Sequence, residues 1–126
     1  MQKLFALTTI SFLFLLTAFT PIRGIDEVVN ALRKGDATEI SKYIDDNVEI
    51  SLPGKSDTYS KAQAVMILKD FFSNNGVTGF ELKHKGENNG NQYCIGTLLT
   101  QSGNYRTTVY MKTINGRQLV RELRFQ

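Results

Sequence analysis

The chain has 126 residues, 15 basic and 12 acidic side chains, one histidine and one cysteine. That length suits one domain. A single cysteine excludes an internal disulfide, and one His with one Cys and no compact acidic cluster cannot supply a tetrahedral metal site, so no cofactor is predicted.

Residues 1–24 read as a signal peptide. Lys3 marks a short charged start, and residues 4–19 carry no charge. That apolar run is shorter than the roughly 20 residues needed to span a bilayer. Ala18-Phe19-Thr20 has the small-x-small form of a cleavage site, although Pro21 follows it; Gly24 is the next candidate. No cysteine lies near the apolar run, so no lipoprotein anchor can form there. The expected product is periplasmic or secreted, without a stable membrane anchor after cleavage and with no nucleic acid as partner. The remaining domain, residues 25–126, is large enough to fold without covalent staples.

Charge is unevenly spread. Residues 21–76 hold 7 basic and 9 acidic side chains, whereas residues 77–126 hold 7 and 3. The basic surplus of the second half could attract an anionic ligand or form a solvated face.

Ile25, Val28, Val29 and Leu32 recur with helical spacing, and Gly35 ends that helix after Arg33 and Lys34. Asp36 then caps a second helix, with Glu39 three residues on. Its predicted apolar face is Ala37, Ile40 and Ile44 beside Tyr43, and Asp45-Asp46-Asn47 is its predicted stop. Val48, Ile50 and Leu52 alternate with polar residues as a short strand. Pro53-Gly54 turns the chain, and residues 55–59 read as a loop or a brief hairpin partner. Ser60 caps a third helix with Gln63 in the matching position. Ala64, Ile67, Leu68, Phe71 and Phe72 form its stripe, each large side chain stabilising it by roughly 1.5–3 kcal/mol when buried.

From Val77 to Phe125 the pattern is four strands separated by Asn88-Asn89-Gly90, Gln101-Ser102-Gly103 and Ile114-Asn115-Gly116. Phe80, Leu82 and His84 share one face by alternation. Three-residue loops at the last two turns would place Val109, Met111, Leu119 and Leu123 together, with Ile95, Thr97 and Leu99 on the same side. Cys94, Gly96 and Leu98 would then face outward with Tyr110, as an apolar strip fit for a second copy of the chain. Arg121 alternates with Leu119 and Leu123 and is expected on the apolar face. There it lies near the rim of the fold, pairs with a helix carboxylate, or holds a ligand.

Helix, helix, strand, long helix and a four-strand antiparallel meander resembles the nuclear-transport-factor-two-like cone fold, shared by ketosteroid isomerases. Ser60-Lys61-Ala62-Gln63, His84-Lys85-Gly86, Tyr93-Cys94-Ile95-Gly96, Tyr105-Arg106 and Glu122-Leu123-Arg124-Phe125 resemble a family of small exported bacterial domains of unknown function. The resemblance covers residues 25–126. It implies an α+β domain whose helices pack on a strongly curved antiparallel sheet, with a pocket at the open end and dimers through the outer sheet face. It carries no catalytic residues.

No nucleophile elbow or phosphate loop is present. His84, Arg121, Tyr93 and Tyr43 are candidates for a pocket rim that holds a small apolar or anionic ligand. Cys94, Leu98 and Tyr110 are candidates for an interface, most simply of a homodimer. The sequence therefore points to a non-enzymatic binding module for a small ligand or a protein. The alternatives are a small isomerase, dehydratase or hydrolase, and a structural partner in an envelope complex.

Overall fold

The structure, a computed structural model, describes residues 24–126. The predicted signal sequence, apart from Gly24, falls outside them.

Helix α1, Gly24–Lys34, buries Ile25, Val28, Val29 and Leu32, as their spacing predicts. Gly35 ends it with a φ of 62°, a conformation that favours glycine. Helix α2, Ala37–Ser41, is capped by Asp36, whose side chain accepts from the Glu39 backbone N–H at 3.0 Å. It ends three residues before the predicted limit. The Tyr43 carbonyl accepts the Val120 N–H at 2.6 Å, which draws the chain into the sheet. Ile44 is therefore the first residue of strand β1, Ile44–Leu52, and Asp45-Asp46-Asn47 lies within that strand rather than stopping a helix. Residues 55–60 form a true strand, β2, antiparallel to β1.

Helix α3, Lys61–Asn75, opens on a complete capping box, with Ser60 and Gln63 each satisfying the other's backbone N–H. It closes on Gly76 in the left-handed conformation. The meander follows as β3 (Val77–Asn88), β4 (Asn91–Thr100), β5 (Gly103–Ile114) and β6 (Arg117–Phe125). The six strands form one sheet in the order β2-β1-β6-β5-β4-β3, antiparallel except where β1 runs parallel to β6. The helices pack on one face, and their apolar stripes meet the inward side chains of β1, β4, β5 and β6 in one core.

The register differs from the three-residue-loop expectation. Thr100 pairs with Gly103 and Ile114 with Arg117, so both hairpins close on two-residue turns. The ladder from β4 to β5 is unbroken, which puts Cys94 opposite Val109 and Leu98 opposite Tyr105. Cys94, Gly96 and Leu98 consequently face the core, and Cys94 and Leu98 are fully buried. Ile95, Thr97 and Leu99 take the outer face instead.

The missing element of the prediction is the β-bulge, which adds one residue to one strand and resets its alternation. In β6, Val120 opposes Met111 and Glu122 opposes Tyr110, leaving Arg121 as the extra residue. Leu119 thus opposes Lys112, while Leu123 still reaches the core opposite Val109. In β3, Lys83 is the extra residue between the Leu82–Gly96 and His84–Ile95 pairs. His84 therefore leaves the face of Phe80 and joins the outer one.

Candidate functional site

The interior of the cone is the first place to look for a site, and aromatic rings fill it. Phe71 and Phe72 on α3 bracket Phe125 on β6, with ring centroids 5.0 and 6.0 Å away. Tyr105 on β5 meets Phe71 edge-on at 5.2 Å, and its hydroxyl donates to Asn75 Oδ1 at 2.8 Å. All three Phe side chains are buried. Such packing is stabilising in itself.

The candidate rim residues fall into two groups instead of one ring. His84 and Tyr93 are together on the outer face of the β3–β4 hairpin, with His84 Nε2 3.0 Å from the Tyr93 hydroxyl. The Tyr93 ring also lies over Gly86, where an added Cβ would sit 2.4 Å from the hydroxyl oxygen. Arg121 belongs to the other group, beside β1. Its guanidinium donates to Asp45 Oδ2 at 2.9 Å, an ion pair with a strand carboxylate rather than a helix one. Tyr43 is half-buried two residues earlier, and burial, with the carboxylates of Glu27 and Glu39, pushes its hydroxyl pKa up.

The Arg121 bulge borders a depression of about 330 Å³ on the outer face, lined by Glu49, Asn91, Tyr110, Lys112, Arg121 and Glu122. Its mixed charges leave no single sign for a ligand to read. A second hollow of about 520 Å³ between α1 and α2 is likewise edged by both acids and bases.

Of the candidate interface residues, Tyr110 is exposed as expected, whereas Cys94 and Leu98 are inside. Burial pushes the Cys94 thiol pKa up to about 12, so it remains a neutral thiol and not a nucleophile. The outer row of β4 that replaces it is Tyr93, Ile95, Thr97 and Leu99, all half-buried. Alternation could not separate this row from Cys94, Gly96 and Leu98, because both are apolar. Gly96 held the available signal: a Cβ there would come within 2.3 Å of the Phe80 ring and 2.4 Å of the Glu81 carbonyl oxygen. Glycine at that position marks the side on which Phe80 closes over the strand.

Residues 25–126 match a family model described as a domain of unknown function, DUF4783. The chain belongs to the DUF4783 family. A DUF4783 protein from Bacteroides ovatus is 32% identical, with a TM-score of 0.76 over 79% of this chain and 90% of its own. Another from Bacteroides uniformis is 28% identical, with a TM-score of 0.77 over 80% of this chain and 94% of its own. An NTF2-like protein of unknown function from Cytophaga hutchinsonii shares the fold at 12% identity, with a TM-score of 0.61 over 86% of this chain and 92% of that one. No curated protein matches the chain at a significant level. This DUF4783 domain therefore has the NTF2-like α+β architecture.

Proposed function

We propose that this DUF4783 domain is an exported, non-enzymatic protein-binding module that works through the outer face of its sheet. The observation that carries the reading is the filled interior. Phe71, Phe72, Phe125 and Tyr105 pack ring against ring between α3 and the sheet. The outer face has a different character, with half-buried Ile95, Thr97 and Leu99 in a row on β4, beside the edge strand β3, and charged residues on the neighbouring strands. An apolar row flanked by polar and charged residues is a common feature of protein interfaces. Export rests on the uncharged run at residues 4–19 behind Lys3. Among the described residues no helix is long and apolar enough to cross a membrane.

The test is site-specific photo-crosslinking of the full chain in its own cells. A photoreactive residue at Thr97 is expected to give discrete crosslinked products in the exported fraction. The same residue at Lys69, exposed on α3, is expected to give none. Equal labelling from both positions, or none from Thr97, overturns the outer-face reading. Sequencing the exported protein should give an amino terminus between Ala18 and Ile25; a product that stays in the cytosol with Met1 intact overturns export.

A further inference from the structure

Beyond protein binding, we infer that the depression at the Arg121 bulge is a site for one neutral sugar ring, a pyranose that is free or ends a glycan. Its shape follows from two irregularities side by side. In β6, Arg121 is the extra residue. In β1, the chain advances five residues from Ile44 to Glu49 while β6 advances two, from Val120 to Glu122. Both strands leave the ladder at the same height, and a hollow of about 330 Å³ lies beside them. Small-ligand sites run from about 300 to 1,000 Å³, so this one suits a single ring rather than a longer molecule. Bulges beside sites serve to re-aim side chains. Here the bulge carries Arg121 to the border of the hollow, where its guanidinium donates to Asp45 at 2.9 Å.

The lining has the mixture that a sugar needs. Each sugar hydroxyl both donates and accepts, so its partners must include both kinds. Glu49 and Glu122 offer acceptors, and Lys112, Arg121 and the Asn91 amide offer donors. Asn91 Oδ1 accepts the Thr113 N–H at 3.4 Å, which leaves the NH2 group for a ligand. Two acids offset two bases. A charged ligand is attracted by one half of this set and repelled by the other, whereas an uncharged polyol can use every member.

Tyr110 adds the apolar element. It stands opposite Glu122 in the sheet and borders the hollow. Among the described residues it is the one Phe or Tyr that is exposed. The face of an aromatic ring is negative, and the C–H groups on one side of a pyranose are slightly positive, so the two rings stack. The other ligand able to read both signs is a zwitterion, with its ammonium on Glu49 and its carboxylate on Lys112. Both side chains are exposed, and ion pairs in such a setting contribute little. A zwitterion without an apolar face would also leave the Tyr110 ring uncovered.

The experiment is an amide NMR titration of the isotope-labelled protein, purified from cells making the full chain. The probes are the methyl glycosides of glucose, galactose, mannose and N-acetylglucosamine. At least one is expected to give saturable shifts at Glu49, Tyr110 and Arg121, with a dissociation constant on the order of 1–10 mM. Sorbitol, which has the hydroxyls but no ring, and glycine, a zwitterion, are expected to give none. Tyr110→Ala is expected to weaken binding about tenfold or more, and Tyr110→Phe, which keeps the ring, about threefold at most. Should Tyr110→Ala unfold the domain, which the same spectra reveal, Glu49→Gln serves instead, expected to weaken binding about threefold. No saturable shift from any glycoside up to about 100 mM overturns the inference. So does an equal response to sorbitol, a response to glycine alone, or a Tyr110→Ala variant that binds like the wild type. A trisaccharide of the preferred unit then distinguishes the sources. Binding about tenfold tighter than the glycoside marks a glycan, and equal binding marks a free sugar. The Thr97 crosslink tests the protein partner separately, so either reading can fail while the other stands.

Discussion

Gly96 lies beneath the Phe80 ring, and the space for even one methyl group is taken. An alanine Cβ at this position would stand 2.3 Å from Phe80 Cζ and 2.4 Å from a backbone oxygen. Neither is the loose end of a flexible side chain, so β3 and β4 must separate to admit it. Gly96→Ala is expected to cost about 1–3 kcal/mol, as overpacking does elsewhere, read as a lower urea midpoint with unchanged slope. Its neighbour Cys94 sets a pH response. Its thiol has an ordinary pKa of 9.0 and is pushed by burial to about 12 in the fold. Between those values the folded chain keeps a proton that the unfolded chain has lost. Stability thus falls as pH rises through that window, by a few kcal/mol at most. The Cys94→Ala variant should show a flatter fall above about pH 9 than the wild type. Parallel curves would mean that Cys94 does not carry the response. The native thiol should also resist alkylation until urea exposes it.

At the scale of elements, the bulges decide which face each residue takes. Arg121 is the extra residue of β6, so its deletion should leave Val120 and Leu123 on the core face and Glu122 on the outer one. The variant is expected to fold, losing about 1–3 kcal/mol with the local bend and the Asp45 pair. Deleting Arg124 removes the same length of chain with a different result. Phe125 would move to the outer face opposite Thr108, and a loss of about 3–5 kcal/mol is expected, comparable to removing a core Phe. Denaturant unfolding of the two variants decides the point, and equal losses would contradict the assigned bulge. The same physics explains what could be read from the chain alone. The three helices, their caps and the four-strand meander were legible, because capping residues and periodic apolar stripes are local signals. The faces were not. A bulge leaves no mark in composition, and with two-residue turns the uninterrupted alternation would have carried Leu123 out of the core. Three-residue loops would keep Leu123 inside but would turn Cys94 and Leu98 outward. Helix α2 is shorter than its spacing predicts for a related reason: the Tyr43–Val120 hydrogen bond is long-range, whereas the Ile40–Ile44 spacing is local.

For the whole molecule, the question is whether the cone is a vessel or a solid. Phe125 is fully buried and joins α3 to the sheet through Phe71 and Phe72. Replacing it with alanine removes the ring against which both Phe71 and Phe72 pack. Phe125→Ala is expected to cost about 3–5 kcal/mol and to leave an apolar cavity at the end of the core. Dry cavities of this kind take up small apolar molecules. Benzene should therefore raise the melting temperature of the variant in a concentration-dependent way, as a ligand of the folded state must, and leave the wild type unchanged. Should the cost unfold the variant at room temperature, Phe125→Leu gives a smaller cavity and the same comparison. A wild type stabilised by benzene as strongly as the variant would mean that the interior is already open, and the case for the outer face as the working surface would lose its basis. An unresponsive wild type beside a responsive variant would place the Phe71–Phe72–Phe125 cluster as the plug that turns a pocket fold into a solid support for its sheet.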